Sequence, residues 1–107
     1  MVGSAQTQGI RVDELAIDVL AREVRVGEEM VDLTLKEFDL MVFLVRSPRR
    51  VFSRRELLEQ VWNSAPECQH PATVTVHIGR LRTKLEYDRT MRSRFVSIRG
   101  IGYRFDP

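Results

Sequence analysis

The sequence predicts an α+β fold in which a small antiparallel sheet comes first, three helices follow, and a β-hairpin ends the chain. Three observations support this order. Short apolar and polar residues alternate before residue 34, two Ser/Thr-x-x-Glu boxes precede apolar runs with helical spacing, and alternation returns after residue 94.

A chain of 107 residues with 43% apolar content has the size of one ordinary domain. We assign that domain to residues 10–107. Residues 1–9, MVGSAQTQG, have no periodicity, and we expect a disordered lead, the end of a linker or a cloning remnant there.

The predicted sheet rests on three short stretches with alternating or β-branched residues, Leu15–Val19, Glu23–Val26 and Met30–Leu33. Residues 27–29, Gly-Glu-Glu, form a plausible hairpin turn between the last two. We therefore expect a small antiparallel sheet with one polar side.

Two capping boxes predict where the first two helices begin. Thr34 and Glu37 form the first box, and the helix after it is apolar around most of its circumference, so we expect it to be central and buried and to end before Ser47. Ser53 and Glu56 form the second box. The inner face of that second helix is expected to carry Leu57, Leu58, Val61 and Trp62.

A third helix is predicted over Pro71–Glu86, with the proline in its first turn. Its apolar stripe, at helical spacing, consists of Val74, Ile78, Leu81 and Leu85. The outward face is small, hydroxylated and cationic, and carries Thr75, Val76, Gly79, Arg80, Thr83 and Lys84. Such a face suits a phosphate-lined groove, where Arg80 can bond two acceptors of a guanine edge. A solvated basic surface is the simpler alternative.

The end of the chain reads as a β-hairpin. Residues Phe95–Arg99 alternate, Gly100-Ile-Gly102 supplies turn residues, and Tyr103–Phe105 resumes the alternation. A hairpin beside a basic helix would act as a wing, and Arg99 at its tip would be placed to enter a minor groove. A structural role for Arg99 at the end of a strand is the alternative.

The charge distribution points to a polyanionic partner. Residues 1–70 hold nine basic and twelve acidic residues, a net charge of −3, whereas residues 71–107 hold eight basic and three acidic residues, a net charge of +5. A basic face on a nearly neutral body is typical of nucleic-acid binding, although anionic membrane surfaces and acidic proteins also fit.

Several function classes lack a signal in the sequence. No apolar run is long enough to span a membrane and no signal peptide opens the chain, so we expect a cytoplasmic protein without a membrane partner. The single Cys68, with His70 and His77, lacks the paired spacing of a metal site, and an ordinary loop thiol is the simpler interpretation. No catalytic motif or phosphate loop is present, and we expect neither an enzyme nor a cofactor.

Three stretches together resemble a known family. They are Leu33–Phe38, Val51–Leu58 with Val61-Trp62, and Thr73–Arg82 with Ile98–Phe105. With them, residues 12–106 are similar to the winged-helix effector domain of OmpR/PhoB-type response regulators. This resemblance implies a winged helix-turn-helix that binds double-stranded DNA to regulate transcription, usually as two copies arranged head to tail on a direct repeat.

The resemblance also implies contacts. It places the recognition helix, residues 72–86, in the major groove and the wing, residues 95–105, at the minor groove. The loop 63–70 would touch RNA polymerase. This chain holds no receiver domain, so it is either an effector domain separated from its receiver or part of a protein that lacks one. Base contacts would come from Thr75, Val76, Gly79 and Arg80, backbone contacts from Arg54, Trp62, Thr73, His77, Arg82, Ser97 and Tyr103, and the minor-groove contact from Arg99.

Purely structural roles remain open for three of these residues. Trp62 can serve as a core anchor, His77 can fill a packing gap, and Tyr103 can belong to the hairpin core. Two positions depart from the family pattern, because Ala72 stands where an arginine is frequent and Thr75 where an aspartate is usual. These departures, together with Gly79 in the middle of the helix, motivate the alternative function, a winged-helix protein-interaction module without sequence-specific DNA binding.

Overall fold

The structure, a computed structural model, describes residues 9–86 and 93–107 and divides the chain into two compact units, residues 1–32 and 33–107. The sequence analysis assigned residues 10–107 to one domain. No helix in the described part of the chain is both long and apolar enough to cross a membrane.

The first unit is a four-stranded antiparallel sheet with its strands in sequence order. The strands are β1 (Gly9–Val12), β2 (Leu15–Asp18), β3 (Glu23–Val26) and β4 (Glu29–Val31). One face is buried because the cross-strand partners Leu15 and Val26, and likewise Ile17 and Val24, lie on the same side.

The sheet confirms the predicted strand region and adds a strand that we did not predict. Strand β1 begins at Gly9, inside the segment assigned to a lead, and β4 ends at Val31 rather than Leu33. The predicted turn is present at Gly27, whose φ of +63° is a backbone conformation that glycine adopts easily. Its N–H donates to the carbonyl of Glu14 at 2.8 Å, which joins the two turns at this end of the sheet.

The second unit begins with helices α1 (Leu35–Val45) and α2 (Arg54–Gln60). Both capping boxes are formed as predicted, with Thr34 and Ser53 as the N-cap residues. Helix α1 is central, since Leu40, Met41 and Leu44 are fully buried. Its first residue, Leu35, is apolar but 64% exposed, so the buried surface of the helix does not extend to its start.

A short 3₁₀ helix, Pro66–Cys68, follows α2 and leads to helix α3 (Thr73–Leu85). The prediction that Pro71 lies in the first turn of α3 was wrong, because the helix begins two residues later. Ala72 is its N-cap residue and makes no side-chain cap bond. The N–H of Ala72 instead donates to Nδ1 of His70 at 3.0 Å. The predicted stripe is confirmed, since Val74, Ile78, Leu81 and Leu85 are all buried.

The predicted hairpin is present as β5 (Phe95–Ile98) and β6 (Gly102–Phe105). Phe52 pairs with Tyr103 on the other side of β6 through two backbone hydrogen bonds of 2.9 Å. Gly102, which we placed in the turn, lies in β6, where a Cβ atom would come within 1.9 Å of the Phe52 carbonyl oxygen. The glycine is therefore required for this close approach between two backbones.

Candidate nucleic-acid interface

The outward face of α3 carries the four residues predicted to contact bases. Thr75, Val76, Gly79 and Arg80 are all exposed, and Val76 is 41% exposed although it is apolar. The buried stripe on the opposite side of the helix fixes this orientation. The structure therefore brings these four residues together on one accessible helix face.

Arg80 is the cation on this face that is most available to a ligand. It is exposed, and within residues 9–86 and 93–107 its guanidinium has no hydrogen-bond or ion-pair partner. An unpartnered guanidinium keeps all of its N–H donors for a polyanion or a base edge. This is the arrangement that the sequence analysis required of a base-reading arginine.

Gly79 leaves the helix surface without a side chain next to Arg80. A Cβ atom built there would meet nothing within 4 Å, so packing inside the protein does not require the glycine. A glycine within a helix costs on the order of 1 kcal/mol relative to alanine. Packing of the core therefore does not account for the glycine at this position.

Arg82 and Ser97 are already bonded to one another. Nε of Arg82 donates to the carbonyl oxygen of Phe95 at 2.7 Å, and Nη2 donates to Oγ of Ser97 at 2.9 Å. These bonds tie α3 to the first wing strand. Arg82 is thus a structural connector with part of its guanidinium committed, which the sequence analysis did not foresee.

Thr75 and Tyr103 form a second connection between α3 and the wing. Their hydroxyl oxygens lie 2.7 Å apart, in an open groove of about 420 Å³ between the start of α3 and the wing. Among the described residues that line this groove there are two arginines, Arg54 and Arg99, and no carboxylate. The groove is therefore electropositive and rich in hydroxyl groups.

The other predicted backbone contacts lie at the start of α2 and on both sides of the connection between α2 and α3. Arg54 is exposed in the first turn of α2, and its Nη1 donates to the carbonyl of Pro71 at 3.4 Å. Nδ1 of His77 lies 2.8 Å from the carbonyl oxygen of Thr73. The rings of His77 and Trp62 are nearly perpendicular, with their centroids 4.9 Å apart. Trp62 is half-buried and follows the end of α2 rather than lying on its inner face.

The wing tip consists of Arg99, Gly100 and Ile101. Gly100 has a φ of +77°, which permits the tight turn, and Arg99 is exposed as predicted. Ile101 is 62% exposed at the same tip, an apolar residue that the sequence analysis treated only as part of a turn. The tip thus presents one cation and one apolar side chain.

Lys84 does not belong to the outward face to which it was assigned. Its Nζ lies 2.7 Å from Oε1 of Glu37, a carboxylate that is 1% exposed in α1. Burial raises the pKa of Glu37, but the hydrogen bond from Lys84 and those within the Thr34 cap outweigh burial and lower the pKa below its ordinary value of 4.5. The pair joins the recognition helix to the central helix.

The described residues contain no group of three or more His, Cys, Asp or Glu side chains placed to hold a metal ion. Cys68 is exposed, and His70 is bonded to the backbone at the start of α3. The surface described above presents arginine guanidinium groups, hydroxyl groups and apolar side chains.

Comparison with known proteins identifies relatives that are named as response regulators or transcriptional regulatory proteins. The chain is 43% identical over 101 residues to the DNA-binding response regulator MtrA of Mycobacterium tuberculosis, covering 92% of this chain and 42% of MtrA. It is 36% identical over 96 residues to the KDP operon transcriptional regulatory protein KdpE of Escherichia coli, covering 90% of this chain and 42% of KdpE. The chain thus spans about two fifths of the length of these relatives.

Solved structures share the fold. The DNA-binding domain of Klebsiella pneumoniae RstA, crystallised in complex with the RstA box, is similar with a TM-score of 0.81 and 30% identity, over 92% of this chain and 97% of that chain. The Thermotoga maritima OmpR/PhoB homologue DrrB is similar with a TM-score of 0.82 and 28% identity, over 94% of this chain and 45% of DrrB. The model of the family described as "Transcriptional regulatory protein, C terminal" matches residues 27–105, and the chain therefore belongs to this family of winged-helix domains of OmpR/PhoB-type response regulators.

Proposed function

We propose that this chain binds double-stranded DNA in a sequence-specific manner and thereby regulates transcription. The observation that carries the proposal is the outward face of α3, where exposed Arg80 has no partner among the described residues and stands beside Thr75, Val76 and Gly79. Arginine is the side chain best suited to the paired acceptors of guanine, and Val76 suits the thymine methyl group. Relatives named as DNA-binding response regulators support the same function.

In this proposal α3 lies in the major groove and the wing reaches the adjacent minor groove. Arg99 at the tip would enter the minor groove, where a narrow A·T-rich segment attracts arginine. Backbone phosphates would be contacted by residues of α2, of α3 and of the wing, and by the residue that follows the C-cap of α2. These residues are Arg54, Trp62, Thr73, His77, Arg82, Ser97 and Tyr103.

A second copy bound head to tail on a direct repeat is part of the proposal. Residues 1–32 contain three basic and seven acidic residues, a net charge of −4, and residues 33–107 contain fourteen basic and eight acidic residues, a net charge of +6. Opposite net charges on the two units favour contact between the first unit of one copy and the second unit of the other. Contact of loop 63–70 with RNA polymerase stays a prediction from the resemblance.

Selection of random duplexes by the purified chain, at near-physiological salt and with excess nonspecific competitor, tests the function. We expect enrichment of one motif, and on longer duplexes of a direct repeat with half-sites about one helical turn apart. If a folded chain enriches no sequence, the proposal is wrong and the protein-interaction module becomes the better explanation.

A further inference from the structure

We infer that Tyr103 fixes the direction of the Thr75 hydroxyl, so that Thr75 acts as a hydrogen-bond donor and selects a base edge that presents an acceptor. The inference rests on the proposed function and specifies which chemical feature one position of the site recognises. It assigns Tyr103 the role of a positioning residue for specificity, in addition to any contact with the DNA backbone.

The geometry of the pair is the first step. Oγ1 of Thr75 and the hydroxyl oxygen of Tyr103 lie 2.7 Å apart, the usual distance for a hydrogen bond between two hydroxyl groups. Thr75 is exposed on the outward face of α3, and Tyr103 is half-buried at the side of the groove. The threonine therefore faces the DNA in the proposed complex while the tyrosine supports it from the wing.

The backbone of Tyr103 is held on both sides. It is paired with Ser97 across the hairpin and with Phe52 through two hydrogen bonds of 2.9 Å, and the missing side chain of Gly102 permits that close approach. A strand paired at both edges holds the backbone of Tyr103, and therefore the point from which its side chain starts. Together with the 2.7 Å contact to Thr75, this restricts the positions of the Tyr103 hydroxyl before DNA binds, which lowers the entropy lost on binding.

The chemistry of the two hydroxyl groups gives the direction of the bond. A phenolic O–H is more acidic than an aliphatic O–H and is the better donor, so Tyr103 donates and Oγ1 of Thr75 accepts. The proton of the Thr75 hydroxyl is then free to point away from the wing, toward the base edges on the floor of the DNA major groove. Guanine N7 and O6, adenine N7 and thymine O4 are acceptors in the major groove, whereas cytosine N4 and adenine N6 carry protons.

Binding profiles of matched variants against duplexes that differ at each position of the selected motif test this inference. Thr75→Val removes the hydroxyl at nearly constant shape and should reduce the preference at one base-pair position by about fivefold, the value of one hydrogen bond. Tyr103→Phe should flatten the preference at that same position, because the Thr75 hydroxyl can then rotate and either donate or accept. The double variant should lose no more than the larger single effect.

Two further variants define the chemistry. Thr75→Ser keeps the hydroxyl and should retain the wild-type preference, which controls for loss of the methyl contact. Thr75→Asp presents acceptors only and should switch the preference to a base edge with an amino group at that position. Thermal melting of each variant confirms that the chain is folded.

The outcomes separate this inference from its rivals. If Tyr103→Phe weakens every duplex equally and leaves the preference intact, Tyr103 contacts only the backbone and the inference is wrong. Unchanged preference in Thr75→Val would also overturn it, because the hydroxyl would then not face a base. A wild-type chain that enriches no sequence would refute the proposed function itself, and this inference would fail with it.

Discussion

The Lys84–Glu37 pair provides a quantitative test of how the recognition helix is anchored. Replacing Lys84 with methionine keeps most of the side-chain volume but leaves the Glu37 carboxylate, 1% exposed, without its cation. Oε1 would then keep the N–H of Thr34 at 3.0 Å, and Oε2 has no hydrogen-bond partner among the described residues. The carboxylate would therefore be underbonded and buried.

The cost follows from the burial of both partners. Breaking a fully buried ion pair costs about 3–5 kcal/mol. Because the Lys84 side chain is 35% exposed, water screens the pair and can partly replace the ammonium group, so we expect a loss of about 1–3 kcal/mol. For a chain of this size, a loss of about 2 kcal/mol lowers the melting temperature by roughly 8–16 °C.

The pH dependence has a defined sign. Since the pKa of Glu37 is lowered in the folded protein, the folded state binds this proton more weakly than the unfolded state. The stabilisation is fully present above the ordinary value of 4.5 and is lost as the pH falls through the folded value. The stability difference between the wild type and Lys84→Met should therefore shrink at acidic pH.

Thermal and urea unfolding between pH 3 and pH 7 measure these effects. Arg55→Met, which removes an exposed cation 3.7 Å from Glu59, is the matched control and should change stability by less than about 0.5 kcal/mol. The double variant Lys84→Met/Glu37→Gln should be less destabilised than the sum of the single variants. If Lys84→Met equals the control, or if its effect does not depend on pH, the pair does not anchor α3.

The remaining predictions concern the wing and the electrostatic footprint. Gly102→Ala should destabilise the chain by about 1–3 kcal/mol in urea unfolding, because the new Cβ atom would overlap the Phe52 carbonyl. Gly79→Ala is the control, and it should be neutral or stabilising because the space around Gly79 is open. Equal effects of the two substitutions on stability would contradict this explanation. Arg82→Ala should weaken binding to all duplexes similarly, and it should also lower the stability of the fold through loss of the hydrogen bonds to Phe95 and Ser97. A change in sequence preference without a loss of stability would contradict this prediction. Titrations at several salt concentrations should give a slope of log affinity against log salt of about −4 to −5, from roughly five neutralised phosphates, and a slope near zero would exclude backbone binding.

Local signals in the sequence predicted much of the fold. Both capping boxes and the buried stripe of α3 depend on residues three or four positions apart, and they are present as predicted. Strand β1 was not predicted because four residues that begin with glycine carry a weak alternation signal. The start of α3 was misplaced because proline tolerates both a first helical turn and the turn before it.

The candidate site was predictable in outline but not in its internal connections. The helical period places Arg80 outward, whereas the partners of Lys84 and Arg82 lie 47 and 13 positions away in the chain. Such pairings depend on tertiary packing, which no local pattern encodes. Gly102 is a similar case, since a glycine in a turn and a glycine at a close backbone approach look alike in a sequence.

The specificity of Arg80 is the most direct test of the central claim. The affinity ratio between the selected duplex and a scrambled duplex should be measured for the wild type, for Arg80→Ala, and for Arg11→Ala, an exposed arginine of the first unit with the same charge change. We predict that Arg80→Ala reduces this ratio by about 1–3 kcal/mol and relaxes the choice at one base pair, whereas Arg11→Ala preserves it. An unchanged ratio in Arg80→Ala would show that α3 does not read the sequence.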